Sequence, residues 1–172
     1  MTPSIIFSIV SVFGIIAVVV GVYMLRAVKS AAAQKTDIAY VRSLAVRFSY
    51  REGLDPAIMC VAMTEALGAI AHVWPVVEIS AVLDGVYINV LNVDSWTEPI
   101  TRRNVAGLAV AGTNSVVVDC KLRALAHELA HLMEAGRGRL PPRIEHDDWE
   151  ERGIYAAING YEVWLEKQEK AP

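Results

Sequence analysis

The sequence predicts an α+β domain carried behind one membrane helix. Three observations lead there. The first 25 residues hold no charged side chain, whereas charge is spread normally from Arg26 onward. The middle of the chain is rich in β-branched runs broken by turn residues, the pattern of strands. Before and after that middle, apolar residues recur at helical spacing. With 172 residues, the chain is long enough for one domain and an appendage.

The appendage is "SIIFSIVSVFGIIAVVVGVYML", Ser4 to Leu25. As a helix it would be about 33 Å long, enough to cross a hydrocarbon core of roughly 30 Å. It shows no polar face, unlike a surface helix. A cleaved signal peptide would carry positive charge ahead of a shorter apolar core. Here Arg26, Lys29 and Lys35 follow the run and none precedes it. Residues 1–26 are therefore expected to be a single-pass anchor in the lipid bilayer. The basic residues after it favour a cytoplasmic C-terminal domain. Residues 27–36 read as a linker and 37–172 as the domain.

Within the domain, "DIAYVRSLAVRFSY" sets Ile38, Val41, Leu44, Ala45 and Phe48 at helical spacing, and Gly53 ends it. Asp55 and Pro56 open the next helix, as N-cap and first helical residue. "VVEISAVLDGVYINVLNV" has two β-branched runs around Asp84–Gly85, which predicts a hairpin. "SWTEPITRRN" is a loop. Two more apolar runs flank a turn at Thr113–Asn114. Asp119 is placed to cap the helix in "KLRALAHELAHLMEAG", which Gly136 ends. Pro141–Pro142 bar helix from the following loop. "WEERGIYAAINGYEVWLEKQ" reads as a last helix weakened near Gly160. The sum is helices packed on a mostly antiparallel sheet of about four strands.

Composition excludes some functions. A net charge of −3 gives no footprint for nucleic acid. Two cysteines, Cys60 and Cys120, form no disulfide framework and lack the close spacing of a zinc-binding pair. His72, alone after its helix, reads as structural.

The chemistry concentrates in "HELAH", residues 127–131. Residues four apart on a helix share a face, so His127 and His131 can offer ring nitrogens to one ion. Glu128 is turned about 100° away. It is badly placed as a ligand but within reach of a water on the ion. Leu122, Leu125, Leu129 and Leu132 hold the opposite face and are expected to pack on the sheet. Glu134, one turn on, reads as an exposed helix charge or as a group orienting a ligand.

This H-E-x-x-H stretch, preceded by strands and followed by a loop and a helix, resembles the zincin metallopeptidases over roughly residues 75–165. The resemblance implies Zn2+ held by His127 and His131, with Glu128 as catalytic base. The metzincin subgroup would need Gly at 134 and His at 137, where this chain has Glu134 and Arg137. His146 followed by Trp149 is similar to the SprT-like group, although Asp147 stands where that group has Gly. A thermolysin-like site would instead take Glu151, or its neighbour Glu150, as third ligand. Asp147 and Asp148 are the remaining options. Glu150 and Glu151 also suit a charged first helical turn.

The reaction implied is hydrolysis of peptide bonds. Glu128 would accept a proton from a zinc-acidified water and pass it to the leaving amine. Tyr155, and less directly Tyr161, are candidate stabilisers of the transition state. "NSVVVD" is expected to be an edge strand able to hold an extended peptide. Two other functions fit the same residues. One is a membrane-tethered binding or scaffold protein with a structural or catalytically silent zinc site. The other is a zinc amidase acting on cell-wall peptide.

Overall fold

The computed structural model describes residues 34–51, 54–97, 104–110, 112–136, 146 and 148–170. The chain divides into two units, Met1–Gln34 and Lys35–Pro172. Apart from Gln34, the first unit lies outside the described residues, and so does the apolar segment 4–25.

The second unit opens with two strands, β1 (Gln34–Val41) and β2 (Leu44–Arg51). Arg42 and Ser43 join them with φ of 48° and 71°, the left-handed pair that a tight hairpin turn requires. The expected helix over this stretch is therefore a hairpin, and part of the expected linker is strand. Two periods coexist in the residues. The helical reading used Ile38, which is 64% exposed. The period-two set Leu44, Val46, Phe48 and Tyr50 is the one that is buried, so burial selects the strand.

Helix α1 (Pro56–Ile70) forms as its signals demand. The Asp55 carboxylate accepts the Ala57 N–H at 2.8 Å, and Pro56 is the first helical residue. Met59, Ala62, Met63, Ala66 and Ile70 make its buried stripe, spaced by three and four. The next element corrects the sequence reading: Val76–Leu83 is a helix, α2, and not a strand. Ile79 and Leu83, one turn apart, are its buried residues, while Val76 and Val77 face solvent. Tertiary burial thus outweighs β-branched propensity. Asp84–Gly85 then turns helix into strand. Asp84 Oδ1 accepts the Ala45 N–H at 3.0 Å. The Gly85 N–H donates to the Ala45 carbonyl at 2.7 Å, with Gly85 at φ 75°.

Strands β3 (Val86–Val90), β4 (Trp96–Thr97), β5 (Asn104–Val105), β6 (Gly107–Ala109) and β7 (Ser115–Val118) follow. The main sheet has five strands in the order β1-β2-β3-β7-β6, and β4 with β5 forms a separate two-stranded ribbon. β2 runs parallel to β3, and β3 parallel to β7. The outer strands are antiparallel: β1 to β2 through the Arg42–Ser43 hairpin, and β6 to β7 across the expected turn near Thr113–Asn114. The expected mostly antiparallel sheet of about four strands is thus a mixed sheet of five. The cause is α2: parallel neighbours need a long crossover, which α1 and α2 supply between β2 and β3. Phe48, Ile88 and Val116 line up across the parallel strands and are at most 1% exposed.

Helix α3 (Leu125–Gly136) is the hub, in contact with α1, α2, β6, β7 and the last helix, α4 (Ile154–Glu169). Leu125, Leu129 and Leu132 are buried, as are Leu122 and Met133. α4 runs unbroken through Gly160; the break lies earlier, at Gly153, whose φ is 71°.

The expected single-pass membrane placement, with a cytoplasmic domain, is set aside. Among the described residues no helix is long and apolar enough to cross a membrane. The apolar α1 has 15 residues, about 22 Å against a core of roughly 30 Å. α4 has 16 residues and carries Glu162, Glu166 and Lys167.

The Asp84 carboxylate is the side chain that fastens the end of α2 to β2. Asp84→Ala is expected to lower unfolding free energy by about 1 kcal/mol, read as a lower urea midpoint with unchanged slope.

Candidate metal centre

The helical period of α3 places His127 and His131 one turn apart on one face. His146 joins them from the segment that precedes α4. The Nε2 atoms of His127 and His131 are 3.0 Å apart, and those of His131 and His146 are 3.3 Å apart. Donor atoms of all three rings lie within 4.8 Å of one another. Nitrogens bound tetrahedrally to one ion at 2.0–2.1 Å would be about 3.3 Å apart. One Nε2 facing two others cannot satisfy both by hydrogen bonding, since each neutral imidazole nitrogen either donates or accepts. A shared cation resolves that conflict, and the three histidines can form a metal-binding group.

Trp149 holds the rings in place. It is fully buried, with ring centroids 5.2 Å from His127, 4.8 Å from His131 and 4.3 Å from His146. His131 Nδ1 is buried with no hydrogen-bond partner among the described residues. Packing on Trp149 and stacking on His146 therefore orient this ring. Burial lowers the pKa of His127 to about 4 and of His131 to about 3, with the neighbouring imidazoles adding to the effect. At neutral pH both rings are uncharged, the form that ligates metal.

Glu128 points to the sheet. It is 6% exposed, and its Oε2 accepts the Ala109 N–H at 2.6 Å. Burial raises its carboxyl to about 7, and the Ala109 bond opposes that rise. The approach depends on Gly107: a Cβ there would lie 2.5 Å from Ala124 Cβ and 2.7 Å from Glu128 Cγ. β6 is the terminal strand of the sheet. Its bonds to β7 run through residues 106 and 110, so antiparallel alternation turns the backbone groups of Gly107 and Ala109 outward. The expected edge strand, 114–119, is instead β7, an interior strand.

The other candidates lie as follows. Glu150 and Glu151 are exposed and outside the histidine group. Tyr155 is partly buried, its ring 6.1 Å from that of His146. Tyr161 is buried and donates its hydroxyl to the Leu122 carbonyl at 2.8 Å, a packing role. Asp147 lies outside the described residues. Asp148 pairs with Arg152 at 3.3 Å. Glu134 is buried and bonded to Arg152, not an exposed helix charge. The sequence reading missed Trp149 as the floor, Arg152 as a partner, and Gly107 with Ala109 beside Glu128. The three-residue step from His146 to Trp149 was a usable signal; nothing in the sequence marked Gly107.

No protein-family model, curated protein or solved structure matches the chain.

Two outcomes follow from this geometry. Addition of Co2+ to metal-free protein is expected to quench Trp149 fluorescence at one equivalent. His146→Ala should weaken that uptake at least tenfold, whereas Glu151→Ala should leave it unchanged; the reverse result would move the third ligand to Glu151. The second outcome concerns pH. The folded chain holds the Glu128 proton up to about pH 7, while the unfolded chain releases it near 4.5, so this group costs stability as pH rises between those values. His127 and His131 act oppositely. The unfolded chain takes up protons below about 6.5 that the folded rings refuse until about 4 and 3, so stability falls as pH drops below 6.5. For these three groups, metal-free stability peaks near neutrality. Glu128→Gln should raise it at pH 8 by on the order of 2 kcal/mol, measured by urea unfolding.

Proposed function

We propose that the chain is a zinc-dependent hydrolase of peptide bonds, with His127, His131 and His146 as ligands and Glu128 as general base. One observation carries the reading: three imidazole nitrogens converge, two of them from the helix that also bears a buried carboxyl whose pKa is raised to about 7. That value suits a base working near neutral pH, and a purely structural metal site has no need of it. The resemblance of "HELAH" to zincin peptidases supports the same assignment. So does the donor set, since three imidazoles leave a tetrahedral zinc one open position.

When bound, zinc supplies Lewis acidity and an acidified water. Glu128 takes the proton of the attacking water and returns it to the departing amine. Trp149 keeps the three rings in one register and excludes solvent beneath them. The Ala109 N–H is spent on Glu128, which leaves the outward Ala109 carbonyl to offer an extended substrate a strand-like hydrogen bond next to that carboxylate. Tyr155, beside His146, is the candidate donor to the developing oxyanion; Tyr161 is not, because its hydroxyl is spent on Leu122.

A second reading has its own observation. The Glu128 carboxylate already accepts the Ala109 N–H, which suits a group that caps the sheet edge in a binding protein with a structural zinc. The two readings part on one variant. With zinc bound, the wild-type chain is expected to cleave an unstructured protein substrate. Glu128→Gln should lose about 10²- to 10⁴-fold in rate while keeping one zinc per chain by elemental analysis. No cleavage by zinc-loaded wild type, or equal rates in both proteins, would favour the structural reading.

A further inference from the structure

We infer that Arg152 is the positioning residue of the third histidine, fixing His146 to the helix that carries the other two. The inference rests on the proposed metal centre and is independent of the peptidase chemistry. His146 reaches the cluster from a segment separate from α3, so something must set its distance from His127 and His131. Arg152 Nη2 donates to Glu134 Oε1 at 2.6 Å, and Nη1 to Asp148 Oδ2 at 3.3 Å. Glu134 follows His131 by three residues and His127 by seven, so it lies on the ligand face of α3. The guanidinium thus joins that face to the segment bearing His146. Its pair with Glu134 is largely shielded from water, with side-chain exposures of 22% and 10%. Its Cζ also lies 5.6 Å from the ring of the buried Trp74. A planar guanidinium can serve carboxylates on two elements and pack against an aromatic face at once; an ammonium cannot.

The segment transmits this anchorage. The Trp149 N–H donates to the His146 carbonyl at 3.1 Å, the Arg152 N–H to the Asp148 carbonyl at 3.1 Å, and the Ile154 N–H to the Trp149 carbonyl at 2.9 Å. Consecutive turns therefore link Arg152 rigidly back to His146, and Trp149 between them packs against all three imidazoles. Displacing Arg152 moves His146 relative to α3 while leaving every ligand side chain present.

The test is a double-mutant cycle read as Co2+ dissociation constants. Arg152→Met keeps the apolar stem and removes the charge; it is expected to weaken Co2+ binding about 10- to 100-fold. In a His146→Ala background the same change should cost less than about threefold, because the ligand through which it acts is gone. Glu134→Gln, nearly isosteric, provides a second arm if Arg152→Met fails to fold, and it should show the same non-additivity. Equal losses in both backgrounds, or wild-type affinity in the single variants, would overturn the role of Arg152 while leaving the metal centre intact. No Co2+ uptake by the wild-type chain would overturn both.

Discussion

Three imidazole nitrogens crowded within hydrogen-bonding range of one another are the constraint on which the rest of the site depends. Neutral rings cannot all satisfy each other at 3.0 and 3.3 Å, and burial opposes charging His127 and His131. The fold holds this unfavourable arrangement with interactions placed around it. Leu125, Leu129 and Leu132 lock α3 from behind. Trp149 supports the rings from below. Arg152 ties the incoming segment to Glu134. A protein accepts local frustration of this kind where a ligand relieves it.

The second constraint is the contact between α3 and the last strand. Gly107 lets Ala124 and Glu128 lie against β6 at a distance no side chain would allow. That closeness buries the carboxyl and raises its pKa, and it also gives the carboxylate a hydrogen bond from the Ala109 N–H. The two effects pull against each other, and burial dominates. Glu128 and the sheet edge are thus one structural unit, separate from the histidine cluster although His127 and His131 lie on the same helix.

How much of this could be read from the residues varies with the locality of the signal. The Asp55–Pro56 start of α1 and the turn near Thr113–Asn114 are short-range patterns that stand where expected; the helix carrying "HELAH" also forms, but it starts at Leu125 and not after Asp119, because Leu122 takes a left-handed φ of 58° ahead of it. Val76–Leu83 has the β-branched composition of a strand, yet it is a helix because Ile79 and Leu83, one turn apart, are the residues that find a core. Residues 37–50 carried both periods, and only the neighbouring β3 decides between them. The sheet's parallel centre follows from both elements: β2 is a strand, and the helix Val76–Leu83 lies in the crossover that returns the chain parallel to it as β3. In the site, helical spacing pointed to His127, Glu128 and His131, while Trp149, Arg152 and Gly107 act through distances that no spacing rule encodes. The apolar run 4–25 lies outside the described residues, and no helix among those described could serve as a membrane span.

The sequence separation within the site has a consequence for how it is built. His127, His131 and His146 fall within twenty consecutive positions, whereas the environment of Glu128 needs β6, and β6 needs the completed sheet. A newly made or partly opened chain can therefore capture a cation through a short local loop before long-range pairing is in place. The carboxyl gains its elevated affinity for protons only when the last strand docks. Under the proposed function, metal capture and the burial of Glu128 would thus fall in different parts of folding, the second in the slower, non-local part.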